Sequence, residues 1–351
     1  MKRFKSIAAA AMAVLIAAVY ALPAVPAYAA TSASLSIAPK KNYVIEPGKS
    51  VKDKLLITNL DSKNPLELSL RVADFTFTDD TGTPKLFLAQ DAPQTTWSLK
   101  PFLTIPESVT IPAGGSKTLE MNVAIPAKQG AGSYYSAIVY SAGAPNGGNV
   151  GLGASGVTLV FTSVPGQVHE DLKLKKFGIY HIATPNENAD YSFISAKEPV
   201  NVAYTLLNNG NVAEAPVGSI TLKDMFGHTY VIDNVNPNGS LALIGQTRTF
   251  TACIKLKSQD VSFSGTKTQA ATCVSPGMWP GRYSAALDLF YGQNGNETQE
   301  ILSNTSFWYL PGWFMLLCLV VLAVFAYVVW RAWRFVRKKL GYQPKRSSHN
   351  K

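Results

Sequence analysis

Several stretches of this 351-residue chain contain residue types that could do chemistry. "FTDDTGTP" includes Asp80-Thr81-Gly82, the triplet of aspartic proteases. That reaction needs two carboxylates sharing a proton. The chain has no second triplet, and Asp-Asp-Thr-Gly between "FTF" and "KLFL" has the composition of a hairpin turn. Calcium held by Asp74, Asp79 and Asp80 would lack the rest of its oxygen cage. "GLGASG", Gly151 to Gly156, satisfies G-x-G-x-x-G, but a dinucleotide site needs a strand directly before it and a helix after it. Here a Gly-rich run precedes it and the strand-like "VTLVFTSV" follows, so a hairpin tip is expected. His169, His181, His228 and His349 are scattered, and no G-x-S-x-G elbow accompanies them. No catalytic residue, metal or cofactor is assigned, and no small-molecule substrate is expected. Trp97, Tyr135, Trp279 and Phe290 are the candidate ligand contacts, because exposed rings can stack on sugars. Core packing is the competing role of each.

The exported cysteines are the other reactive pair. Cys318 lies in an apolar run, which leaves Cys253 and Cys273 as an even pair. A disulfide between them is expected, with free thiols as the alternative, and it would tether the polar excursion "KLKSQDVSFSGTKTQAA".

These residues must be positioned by strands. "LELSLRV" (Leu66 to Val72), "TLEMNVAI" (Thr118 to Ile125) and "VNVAYTL" (Val200 to Leu206) alternate apolar with polar, as strands buried on one face do. Short strands between Gly, Pro and Asn turns point to β-sandwiches. The pattern also repeats: "GAGSYYSAIVYSAG" (Gly130 to Gly143) matches "WPGRYSAALDLFYG" (Trp279 to Gly292), with Tyr134 over Tyr283 and Tyr140 over Tyr291. A Gly, one residue, then Tyr at the start of a late strand resembles the tyrosine corner of immunoglobulin-like sandwiches, which assigns that role to Tyr134 and Tyr283. Tyr283, Ala285, Leu287, Leu289 and Tyr291 should form a core face.

The formal charge of +10 does not mark a nucleic-acid binder. Lys2, Arg3 and Lys5 open the chain, and eight Lys or Arg fall in its last twenty-one residues, so the middle is near neutral. The N-terminal charges precede the apolar "SIAAAAMAVLIAAVYAL" and the Ala27-Tyr28-Ala29 site of a secretory signal, with cleavage expected between Ala29 and Ala30. The C-terminal charges follow "FWYLPGWFMLLCLVVLAVFAYVVW", Phe307 to Trp330. As a helix that run would reach about 36 Å, enough for a ~30 Å hydrocarbon core. The positive-inside rule puts the basic tail in the cytoplasm and the middle outside.

The runs "SLSIAPKKNYVIEPGKSVKDKLLITNLDSKNPLELSLRVADFTF", "VTIPAGGSKTLEMNVAIPAKQGAGSYYSAIVY", "SVPGQVHEDLKLKKF" and "LLNNGNVAEAPVGSITLKDMFG", before a Trp-rich helix and basic tail, resemble the WxL-interacting cell-surface proteins of Gram-positive bacteria. The resemblance implies two immunoglobulin-like domains, the first associated with peptidoglycan and the second with a surface-protein partner. The Cys253 to Cys273 excursion departs from that pattern.

The sequence therefore predicts an all-β protein of two tandem immunoglobulin-like sandwiches. The expected division is a signal peptide (1–29), a first sandwich (30–166), a second (167–306), a transmembrane helix (307–330) and a basic cytoplasmic tail (331–351). The expected function is a non-catalytic, single-pass membrane protein at the cell surface that binds cell-wall glycan or another surface protein. The alternative is an accessory subunit of a membrane-embedded secretion, pilus-assembly or sensing complex.

Overall fold

A computed structural model describes residues 35–77, 83–89, 94–142, 156–182, 188–263, 266–292 and 298–339. The signal cleavage site at Ala29 and Ala30, the Asp80-Thr81-Gly82 triplet, Asp79, His349 and Gly151 to Ser155 lie outside the described residues.

Among the described residues the first half has eleven strands, β5 and β6 forming a hairpin apart from the sandwich: β1 (Leu35–Ile37), β2 (Lys40–Val44), β3 (Ser50–Asn59), β4 (Leu66–Ala73), β5 (Phe75–Phe77), β6 (Pro84–Leu86), β7 (Leu103–Thr104), β8 (Ser108–Ile111), β9 (Ser116–Ala124), β10 (Gly132–Ala142) and β11 (Gly156–Val164). Eleven more follow: β12 (Leu172–His181), β13 (Asp190–Ser192), β14 (Ile194–Ser195), β15 (Asn201–Asn208), β16 (Val217–Asp224), β17 (Thr229–Ile232), β18 (Thr247–Cys253), β19 (Leu256–Phe263), β20 (Thr266–Cys273), β21 (Gly281–Tyr291) and β22 (Gln299–Tyr309). The last element is the helix α1 (Gly312–Lys339).

The sheets repeat. The first sandwich packs β1-β3-β9-β7 on β2-β11-β10-β4-β8, and the second packs β13-β12-β15-β18 on β14-β22-β21-β16-β17. Two-residue alternation makes the layers. Along β21 the residues Tyr283, Ala285, Leu287, Leu289 and Tyr291 are buried and Arg282, Ser284 and Ala286 are exposed, so the apolar face closes one core. Leu55, Leu68, Ile111 and Ile138 fill the other. Tyr140 stands as far from Gly132 as Leu289 does from Gly281, so its counterpart is Leu289 and not Tyr291.

A third apolar cluster joins the sandwiches. Phe75, Tyr135 and Phe161 of the first meet Leu243 and Ile244 of the second. Around it, Ser133 N donates to Asn211 O (3.0 Å), Asn211 Nδ2 to Ala131 O (3.2 Å) and Ala213 N to Ser133 Oγ (3.0 Å). The Arg248 guanidinium, itself buried, lies 4.5 Å from the centre of the Phe77 ring.

The C-terminal run differs from the expected helix at Phe307. β22 continues to Tyr309, with Phe307 and Tyr309 buried and Trp308 outward. The helix begins at Gly312, after Pro311, and reaches Lys339. Hydrophobicity alone cannot separate a core strand from the membrane-type run that follows it, because both are apolar. α1 is long and apolar enough to cross a membrane.

Candidate binding groove

The second sandwich has an edge that the first one covers. In the first, β2 adds parallel to β11 over five positions, from Leu159↔Lys40 to Ser163↔Val44. In the second, β14 adds parallel to β22 over two, Ile194↔Trp308 and Ser195↔Tyr309. The inner hairpins align, since Gly132 pairs with Val164 and Gly281 with Tyr309. Counting back from Val164 and Tyr309, the five positions covered by β2 correspond to Asn304 through Trp308. β14 takes the last of them, and Asn304 to Phe307 have no outer strand among the described residues.

The backbone there is turned outward. Trp308 N donates to Phe193 O (2.8 Å) and Leu310 N to Ser195 O (2.9 Å), and a strand directs the N–H and C=O of alternate residues to one side. Ser306 and Asn304 therefore direct their N–H and C=O groups at the same edge as Trp308.

A groove of about 520 Å³ runs beside them, lined by Leu174, Phe177, Tyr191, Phe193, Asn304 and Ser306 among others. Its far wall is β12, where a register shift between Leu174 and Lys176 marks a bulge. Leu174 and Phe177 pack against the core, Lys175 and Lys176 point to solvent, and the Lys176 Nζ lies 5.7 Å over the Tyr191 ring. Lys173 pairs with Asp171 at 3.3 Å. The groove thus combines an apolar floor, an open strand edge and a rim on which Lys175 and Lys176 outnumber Asp190.

The candidate ring contacts do not gather in one place. Tyr135 is 3% exposed, edge-on to Phe75 at 5.5 Å, and Trp97 is half-buried against Tyr134. Both serve the packing near the junction of the sandwiches, and Tyr135 is closed to a ligand. Trp279 (65% exposed) and Phe290 (36%) remain accessible, but they stand at opposite ends of β21, about 30 Å apart along the strand, and form no joint platform.

The two late-strand tyrosines occupy equivalent corners. The Tyr134 hydroxyl donates to Gly130 O (2.9 Å) and accepts from Gln129 Nε2 (2.6 Å), and the Tyr283 hydroxyl donates to Trp279 O (2.8 Å). Burial pushes the Tyr283 phenol well above its ordinary range, so it stays a donor.

Of the titratable groups named in the sequence, Asp74 and His228 hold local structure. Asp74 is buried and accepts from Ser98 Oγ (2.6 Å), Ser136 Oγ (3.0 Å) and Thr95 N (3.0 Å), which engages both of its oxygens. The Asp224 carboxylate accepts from the amides of Phe226 and His228 and lies 2.8 Å from His228 Nδ1. Burial opposes its ionisation, and the His228 ring and the two amides outweigh burial, so its carboxyl lies below the usual range. Among the described residues no group of three His, Cys, Asp or Glu is placed to hold a metal.

A disulfide joins Cys253 to Cys273, with Cα atoms 5.3 Å apart. It closes the base of the β19–β20 hairpin, where Leu256 pairs with Cys273. Glu198 fastens the segment beyond it, accepting from the amides of Gly277 and Met278 (2.6 Å each) and from the Ser275 hydroxyl.

No family model and no curated protein matches the chain. Solved structures similar to it include the class 5 fimbriae chaperone CfaA (14% identity, covering 78% of this chain and 99% of that one, TM-score 0.34). The E. coli chaperone DraB is similar at 12% identity over 77% of this chain and 96% of that one, TM-score 0.33. The Pseudomonas aeruginosa CupB2 chaperone is similar at 11%, over 77% and 100%, TM-score 0.31.

The open edge at Asn304 to Phe307 was not foreseen from sequence. Its one local signal is that "IS" of β14 is shorter than "KKNYV" of β2.

Proposed function

We propose that this is a membrane-anchored, non-catalytic cell-surface protein whose second sandwich binds an extended segment of a partner protein in the groove between β12 and β22. The observation behind this reading is the gap at Asn304 to Phe307, where the first sandwich has β2. Proteins usually cover or charge an open strand edge, and an added strand satisfies its backbone groups while alternate side chains enter pockets. The apolar floor suits apolar residues at alternate positions, and Lys175 and Lys176 suit an acidic neighbour. The resemblance to WxL-interacting proteins, with a surface-protein partner for the second domain, supports the same reading. The separation of Trp279 from Phe290 favours a protein over a glycan for this sandwich.

In-cell photo-crosslinking tests it. A crosslinker at Asn304 of the full chain should give a discrete protein adduct that is lost when Ser306→Pro is added, and a crosslinker at exposed Glu120 should not. Proline removes an outward N–H and leaves the bonds to β21 intact, so folding survives. Absence of an adduct at Asn304 rejects the groove. Retention of the full chain on isolated cell walls, unchanged by Ser306→Pro, would assign binding to glycan elsewhere. If the adduct vanishes only when α1 is replaced by an unrelated anchor, the subunit reading is favoured.

A further inference from the structure

The sandwich and α1 are joined without a spacer. β22 ends at Tyr309, Leu310 N is still bonded to Ser195 O (2.9 Å), and α1 starts at Gly312. One end of the second sandwich is therefore held within a few residues of whatever α1 enters.

Strand register identifies that end. Gly281 pairs with Tyr309, so Trp279 lies there, and Asp224 pairs with Tyr283, so the Met225–Phe226 turn lies there too. Trp279, Met225 and Phe226 are 65%, 62% and 66% exposed. Met225 reaches β21, because a Cβ on Gly281 would come within 2.8 Å of Met225 Sδ, and Trp279 lies two residues before that glycine. Trp308, 43% exposed, extends the patch along β22. Single exposed apolar residues are ordinary, but a contiguous group marks an interaction surface.

The charges at this end are sorted. Among the residues whose side chains are described, the carboxylates of Glu198 and Asp224 are turned onto backbone amides. Lys223, Arg282 and Lys255 are exposed. Aromatic residues beside cations, at the root of an apolar helix, are what a membrane–water interface accommodates.

We propose that this end of the second sandwich rests on the bilayer that α1 enters, with Trp279, Phe226 and Met225 at the headgroup level and Lys223, Arg282 and Lys255 facing lipid phosphates. The proposal rests on the reading of α1 as a membrane span. It also gives the groove at Asn304 to Phe307 a set height above the membrane, because both belong to β22 and its rigid neighbours.

Full-length protein in nanodiscs of phosphatidylglycerol and phosphatidylcholine provides the test. In a Cys318→Ser background, an environment-sensitive fluorophore is placed at Phe226→Cys, at Trp279→Cys, at Lys117→Cys in the first sandwich and at Leu322→Cys in α1. Both patch side chains are exposed, and the Trp279 carbonyl that holds Tyr283 is kept, so the fold should tolerate these changes. Emission at 226 and 279 should shift to the blue relative to 117 and be quenched by spin-labelled lipid. Quenching at 322 with water-like, unquenched emission at 226 and 279 overturns the docking alone. Absence of quenching at 322 overturns the membrane span and the docking with it.

Discussion

The Tyr283 ring lies parallel to the Phe307 ring, with centroids 5.2 Å apart and 7° between planes. Both are fully buried, one on each of the paired strands β21 and β22 of the sheet that runs into α1. Phe307 is therefore a core residue at the end of an apolar run that continues as a helix. Phe307→Ala should destabilise the second sandwich by about 3–5 kcal/mol. Leu319→Ala, at an exposed helix position, should leave it unchanged. Denaturant unfolding followed by tryptophan fluorescence compares them, and equal effects would deny Phe307 its place in the core.

The junction of the sandwiches depends on a glycine. Gly132 has φ +144°, and a Cβ there would lie 2.5 Å from Asn211 O. Gly132→Ala combines an unfavourable backbone conformation with a clash against the other sandwich, at a cost of about 1–3 kcal/mol. Scanning calorimetry should show a lower midpoint and the two sandwiches melting further apart. An unchanged profile would mean that the junction yields freely.

Reduction should loosen the second sandwich. Cys253 and Cys273 are 20 residues apart, and removing their bridge is expected to cost about 3 kcal/mol through the freedom restored to the unfolded chain. Cys253→Ser with Cys273→Ser, measured with and without reductant, checks this. The double variant should match the reduced wild type in both conditions.

Acid should weaken the first sandwich through Asp53. Hydrogen bonds from Lys41 Nζ (2.8 Å) and the Tyr43 hydroxyl (2.5 Å), with the Lys54 amide, lower its carboxyl from 3.8 to about 2. The folded value is below the unfolded one, so the contribution is complete above about 4 and is lost as the pH falls through about 2. The side chain is 32% exposed, which limits the effect to about 1 kcal/mol. Asp53→Asn should flatten the stability profile between pH 4 and pH 2. A profile as steep as that of the wild type would assign the acid sensitivity to other carboxylates.

Much of the fold was legible because alternation is local. The inward set Tyr283, Ala285, Leu287, Leu289 and Tyr291 follows from placing apolar side chains at every second position, since a strand turns successive residues to opposite faces. The match of "GSYY" to "GRYS" likewise located two tyrosines at the same strand position, each with its hydroxyl bonded to the carbonyl four residues before it. Trp97 and Tyr135 were less legible, because an aromatic residue has the same pattern whether it meets solvent or, like Tyr135, a second domain.

By themselves, then, the residues determined the inward face of β21, the repeated sandwich and an apolar C-terminal run, whereas β15, whose alternation predicted one buried face, is buried on both. Only the tertiary structure decided that Phe307 belongs to a core strand that runs on to Tyr309, that Tyr135 lies beneath a domain junction, and that Asn304 to Phe307 lack the outer strand their counterparts have. The physical reason is distance along the chain. Side-chain alternation is a property of neighbours, whereas pairing depends on where remote segments run. Two residues of β14 and five of β2 differ little as sequence and leave different edges when folded.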